Sequence, residues 1–184
     1  MINREIEPQV FDRLISKANL NNYKSKCEFW DINGSSHKLA YLTHNYFRYF
    51  GKFPSTIAKK LIENYTSKKE DLVVDTMVGS GTTLVEAKIA NRNAFGFDVN
   101  PFSILLSNVK ITSLDMALLD KTHKKIKNDI SHLKESEVIH LIPRMKNMDH
   151  WFDKKVQIEL AKLKYLILKI ENNQIRDFFK VTFA

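Results

Sequence analysis

Apolar residues recur along this chain at two different spacings. Residues 9–20 (QVFDRLISKANL) set Val10, Leu14, Ile15 and Ala18 on one side and predict a short helix. Residues 21–38 are polar, with Asn21, Asn22, Asn33, Gly34, Ser35 and Ser36, and predict a loop. An aromatic stretch over 39–53 follows, carrying Tyr41, Tyr46, Phe47, Tyr49, Phe50 and Phe53. Pro54 then opens a helix over 55–65, with Ile57, Ala58, Leu61 and Ile62 inward and Ser55 suited to its first turn. Leu72-Val73-Val74 is a short β-branched run ending at Asp75, as a buried strand would be. Beyond Gly79-Ser80-Gly81 an amphipathic helix is predicted over 82–91, with Leu84, Val85, Ala87 and Ile89. Residues 94–98 (AFGFD) predict a second strand ending at Asp98.

After Asn100-Pro101 the spacing is helical throughout. Residues 102–109 (FSILLSNV) form a short apolar helix. Residues 115–134 align Leu119, Ile126, Ile130 and Leu133, with Lys121, Lys124, Lys125, Lys127 and Lys134 mostly on the other face. Pro143 breaks an apolar patch from Val138 to Ile142. The longest helix is predicted over 149–171, with Trp151, Phe152, Val156, Leu160, Leu163, Ile167 and Ile170. A last segment, 173–183, ends on Phe178, Phe179, Val181 and Phe183. The chain therefore divides into an N-terminal helix and loop (1–38), an α/β core (39–110) and a helical segment (111–184).

Strand, glycine loop, helix, strand, acid is the order of the first βαβ unit of a nucleotide-binding doubly wound sheet. Asp98 lies 19 residues beyond Gly79, close to the spacing of about 20 expected of a ribose-binding carboxylate. Glycine permits the tight turn and a close approach of ligand to backbone. The helix start that follows offers free N–H groups and a positive dipole end, suited to a phosphate or an amino-acid carboxylate. The loop lacks the lysine of a P-loop, since Thr82 and Thr83 follow Gly81 directly, and Leu84 stands where a third glycine would be. These features favour a nucleoside without phosphates, with Asp75 meeting an ammonium and Asp98 the ribose hydroxyls. Taken singly, the acids are ordinary turn caps and the glycines ordinary loop formers; taken in this order, they make a site.

Composition adds bounds. With 184 residues, 43% hydrophobic and 27% charged, the chain supports one core. Five glycines and four prolines exclude a linker-rich chain, and no apolar run approaches the roughly 20 residues of a membrane span. The charged start MINREIEPQV is unlike a signal peptide, and the single Cys27 excludes an intramolecular disulfide or multi-cysteine zinc site, so a cytoplasmic location is expected. Cys27 itself reads as a small buried apolar residue. The net charge of +8, from 29 Lys and Arg against 21 Asp and Glu, favours polyanion partners such as DNA, although lysine-rich helices read equally well as solvated faces.

The string DTMVGSGTTLVEA (75–87) resembles the S-adenosylmethionine motif of amino-methylating DNA methyltransferases, usually D-P-F-x-G-S-G-T-T; Thr76 and Met77 depart from it. GKFPSTIAKKLIENYTSKKEDLVVD (51–75) resembles the segment that precedes this motif, and NAFGFDVNPFS (93–103) the second cofactor motif. The resemblance covers roughly residues 44–109 and implies a Rossmann-like S-adenosylmethionine-dependent fold, incomplete here. It implies that Asp75, Gly79, Ser80 and Gly81 hold the methionine part, with Thr82 and Thr83 at the helix start. Asp98 would take the ribose, Val99, Asn100 and Pro101 would lie beside the adenine, and Phe53 and Pro54 would close the other side. An aromatic such as Phe53 within an aromatic stretch is also an ordinary core residue. The pairs at 151–152 (WF) and within 176–179 (RDFF) resemble a helical insert of larger members.

The same resemblance implies a catalytic loop of an acid or asparagine, Pro-Pro and an aromatic, which grips the exocyclic amine of a flipped cytosine or adenine. Pro8, Pro54, Pro101 and Pro143 stand apart, so that loop is not in this sequence, and no catalytic residue is assigned. The expectation is an N-terminal, cofactor-binding part, completed by a second chain or left by a truncated gene, inactive alone and belonging to a restriction-modification system. An RNA methyltransferase fragment and a non-catalytic DNA- or partner-binding remnant are the alternatives. His44 reads as a loop histidine ahead of a residue approaching cofactor or phosphate.

Overall fold

In the computed structural model, which describes residues 41–184, Pro54 sets the first long element. Its carbonyl accepts the N–H groups of Ile57 and Ala58, and helix α1 runs Ser55–Tyr65, as its apolar spacing predicts. The expectations for 9–20, for 21–38 and for Cys27 lie outside the described residues. Strand β1 is Leu72–Asp75, helix α2 Thr82–Ile89, strand β2 Asn93–Gly96 and helix α3 Pro101–Ile111. The two strands pair in parallel, Leu72 opposite Asn93 through Asp75 opposite Gly96, with α2 as the crossover.

The second strand differs from the expected 94–98: it starts at Asn93 and stops at Gly96. Beyond Gly96 the chain bonds to the end of β1 and to the loop after it. The Phe97 N–H donates to the Asp75 carbonyl and the Val78 N–H to the Phe97 carbonyl, each at 2.8 Å. Gly96 permits this, because a Cβ there would lie 2.7 Å from Val78 Cγ2 and 3.0 Å from Leu84 Cδ1. Val73 and Ala94 share this helix-covered face by alternation. The opposite face carries Leu72, Val74, Phe95 and Phe97, which are 52%, 53%, 61% and 57% exposed.

The remainder is helical. Helix α4 is Met116–Asp129, capped by Asp115, and continues as a 3-10 turn to His132. Helix α5, Glu135–Val138, and a 3-10 turn to Leu141 lead to Pro143. The single helix expected over 149–171 is two: α6, Met148–Trp151, and α7, Lys154–Leu168. Phe152 is extended between them, and the buried Gln157 amide secures the break by donating to the Phe152 carbonyl and Asp149 Oδ1, both at 2.8 Å. Helix α8, Asn173–Phe183, folds back onto α3. There Leu106, Val109 and Val181 form a core flanked by Tyr46, Phe47, Tyr49, Phe102, Leu105 and Phe178. Among the described residues no helix is long and apolar enough to cross a membrane. One small parallel sheet amid many helices suits an incomplete α/β architecture.

Candidate functional site

The chain leaves the carboxyl end of β1 into a cleft of about 360 Å³, the usual position and size range of a ligand site in an open α/β sheet. Of the residues the sequence assigns to a cofactor, Phe53, Asp75, Gly79, Ser80, Thr82 and Thr83 line it, joined by Tyr49 and Lys52 from the aromatic stretch. Pro54 starts α1, half-buried at the helix end next to Phe53. Gly81, Asp98, Val99, Asn100 and Pro101 do not line the cleft. Val99 is fully exposed, Asn100 caps α3 by accepting from the Phe102 N–H at 2.9 Å, and Pro101 is the first residue of that helix.

The two glycines of the loop have different reasons. Both sit at positive φ, +48° at Gly79 and +78° at Gly81. The atoms nearest a Cβ on Gly79 would be those of the Tyr49 side chain, at 3.5–3.7 Å, an ordinary contact distance. A Cβ on Gly81 would meet Ser107 of α3, 2.7 Å from its Cβ and 2.9 Å from its Cα. The missing side chain of Gly81 thus lets α3 approach the loop. As N-cap of α2, Gly81 supplies no side-chain acceptor, so the N–H groups of that helix start receive no side-chain cap.

Asp98 braces the loop. Its Oδ2 accepts from the Gly79 N–H and its Oδ1 from the Asn100 N–H, each at 2.8 Å. The Asn100 amide first, and then the Gly79 amide, hold this carboxyl below the ordinary range. Asp75 accepts from the Met77 N–H at 3.1 Å.

Behind the loop lies a set of buried polar groups that sequence reasoning missed. The Lys110 ammonium, from α3, donates to the Ser80 carbonyl at 2.7 Å. His44 Nε2 lies 2.6 Å from Glu86 Oε1 of α2, both side chains being buried, and the Tyr41 hydroxyl donates to the same oxygen. Burial first, and then the Glu86 carboxylate, push the Tyr41 hydroxyl up to about 12. The loop-histidine expectation for His44 is thus overturned: the ring is 0% exposed and edge-on to Tyr41, at 4.9 Å between centroids. The available signal was Glu86, a carboxylate set among Leu84, Val85 and Ala87. Lys110 offered none, because a lysine ending an amphipathic helix ordinarily snorkels into water.

Residues 5–109 match the model of the N6/N4 DNA methylase family, and the chain belongs to this amino-methylating DNA methyltransferase family. Type II methyltransferase M.MvaI of Kocuria varians is 26% identical over 185 residues, covering 97% of this chain and 39% of that protein. Type II methyltransferase M.BsoBI of Geobacillus stearothermophilus is 35% identical over 85 residues, 45% of this chain and 17% of that protein. Type II methyltransferase M.BglI of Bacillus subtilis is 38% identical over 76 residues, 41% of this chain and 21% of that protein. The chain thus spans well under half the length of these relatives. No solved structure matches it.

Proposed function

We propose that this chain is the S-adenosylmethionine-binding part of a DNA methyltransferase that modifies the exocyclic amine of cytosine or adenine, in a restriction-modification setting. The observation that carries the reading is the cleft at the end of β1, with an acid on one side and an uncapped helix start on the other. Its donors and acceptors suit a zwitterion. Asp75 would take the ammonium, and the Thr82 and Thr83 amides and hydroxyls at the start of α2 would take the carboxylate. Tyr49 and Phe53 offer apolar surface to the rest of the ligand, and Gly79 keeps the backbone open to it. Bound S-adenosylmethionine supplies an already activated methyl group on sulfonium sulfur, so this part of the enzyme has to hold and orient the donor.

Asp98 would bind the ribose with the lone pairs left beside its two backbone bonds, with Val99, Asn100 and Pro101 bordering the adenine and Pro54 behind Phe53. Gly81 serves indirectly, by seating the helix start against α3. In this reading residues 39–110 are the cofactor core, built on the first βαβ unit of a Rossmann-like sheet, and 111–184 a helical segment. The acceptor-gripping and target-reading parts, and most of the DNA contact, belong to polypeptide outside these 184 residues, in the same protein or in a partner. Titration calorimetry of the chain with S-adenosylmethionine tests the core claim. Binding that is lost in Asp75→Ala and Gly79→Val supports it, and no binding by the folded chain overturns it.

A further inference from the structure

We propose that Lys110 is a positioning residue for the cofactor loop, its buried ammonium holding the Ser80 carbonyl so that the loop keeps the shape that receives the ligand. This rests on the cofactor reading above. Lys110 is 4% exposed, and its Nζ lies 2.7 Å from the Ser80 oxygen. No ion pair to it is found among the described residues. A cation buried against a carbonyl without a carboxylate is expensive to keep.

What it holds is a short span tied on both sides. The Gly79 N–H is fixed by Asp98 and the Gly81 N–H by the Val78 carbonyl, at 2.8 and 2.7 Å. Ser80, itself in the cleft wall, lies between them, and its carbonyl accepts from the Lys110 ammonium. Thr43 Oγ1 donates to the Lys110 carbonyl at 3.0 Å. The same residue therefore links the loop to the aromatic stretch, whose Tyr49 lies beside Gly79 in the cleft wall.

On α8, which packs against α3, Lys180 pairs with Asp177 and Arg176 donates to the Ile170 carbonyl. Lys52 donates to the His44 carbonyl, and His44 and Glu86 pair with each other. Lys88 of α2 reaches the Ile111 carbonyl, and Asp98 accepts from Gly79 and Asn100. Burial first, and the nearby Lys52 charge second, lower the Lys110 ammonium to about 8. As pH rises through that value the proton leaves, and a neutral amine bonds the carbonyl more weakly than an ammonium does.

Two measurements on the 184-residue chain test this, with Lys110→Met and Lys110→Arg beside wild type. In the ligand-free chain, the amide resonances of Gly79, Ser80 and Gly81 should shift together as pH rises through about 8. They should not do so in Lys110→Met, nor in Lys110→Arg, whose guanidinium stays charged. Loop amides that do not move in wild type, or that move alike in Lys110→Met, overturn the proposal. For S-adenosylmethionine, Lys110→Met should bind about tenfold more weakly at neutral pH, the loss of one charge-assisted bond. Raising the pH through about 8 should weaken wild type more than Lys110→Arg. The free ligand's amine titrates in the same range whichever protein it meets, so it drops out of the comparison between variants. Identical pH profiles in wild type and Lys110→Arg overturn the proposal. If wild type binds no S-adenosylmethionine at any pH, the cofactor reading fails, and the loop resonances still decide the role of Lys110.

Discussion

The Gly79 N–H donates to Asp98 Oδ2 at 2.8 Å, joining the loop after β1 to the acid that follows β2. The carboxylate that the family resemblance assigns to a ribose is thus also the brace of the glycine loop. The two roles are compatible, because an ionised carboxylate has about four acceptor positions and the loop and Asn100 use two. They predict a graded result. Asp98→Ala should lose more S-adenosylmethionine affinity than Asp115→Ala, because Asp115 only caps α4 through the Ala117 and Leu118 amides. Asp98→Asn should fall between, keeping an acceptor for Gly79 while losing the charge. Calorimetry on the three variants decides it, and equal affinities would remove the ribose role.

Acid should act through the same residue. The folded carboxyl of Asp98 lies below its ordinary value of 3.8, so the unfolded chain takes up the proton first as pH falls. Its contribution to loop order is complete above 3.8 and disappears as pH drops from there through the lower folded value. Amide exchange at Gly79 and Asn100 should accelerate, relative to intrinsic rates, over that window. In Asp98→Asn the acceleration should be absent.

The two loop glycines should separate stability from binding. Gly81→Ala drives a Cβ into Ser107 at a positive φ, combining backbone strain with overpacking, and should cost about 2–5 kcal/mol. The nearest atoms to the Gly79→Ala methyl are those of Tyr49 at ordinary contact distance, so the variant should cost about 1–2 kcal/mol, from φ. Its side chain enters the cleft, so it should weaken cofactor binding more than its stability loss explains. Thermal unfolding and calorimetry on both variants test the contrast. A stable Gly81→Ala would remove the helix-approach account.

These glycines also show how far the sequence could be read. Positions fixed by local chemistry were legible: Pro54 starts α1, the β-branched run 72–75 is β1, and the glycine loop precedes α2. Features that depend on distant partners were not. Nothing near Gly81 announces Ser107, 26 residues away, and nothing near Lys110 announces the Ser80 carbonyl. The spacing over 149–171 stays helical across Phe152, because the break rests on bonds from Gln157, which periodicity cannot register. Alternation alone carries the second strand past Gly96, because Phe97 keeps the apolar period while its backbone bonds to the end of β1 and the loop.

Breaking the Glu86 cluster should unfold the site from behind. Glu86→Ala removes the shared acceptor of the buried His44 and the half-buried Tyr41, and should cost about 2–4 kcal/mol. Glu86→Gln keeps an acceptor and should lose less. Urea unfolding measures both, and a Glu86→Ala midpoint equal to wild type would show that the cluster is dispensable.

The last expectation is that the 184-residue chain alone transfers no methyl group to DNA. Its four prolines stand apart, so it carries no Pro-Pro loop of the kind the family resemblance implies for gripping a flipped base. Holding the donor without positioning the acceptor leaves most of the barrier in place. One face of its sheet, with Leu72, Val74, Phe95 and Phe97 each more than half exposed, is an apolar patch of the kind that further polypeptide covers. The Kocuria varians relative, of which this chain spans 39%, has the length to supply both. The assay is transfer of labelled methyl from S-adenosylmethionine to mixed-sequence DNA, by the purified chain and by the chain supplemented with the remaining part of such a relative. Transfer only in the supplemented reaction, weakened by Phe95→Glu on the bare face, is the expected outcome. Robust transfer by the chain alone would place a catalytic group within these residues and overturn the division of labour proposed for them.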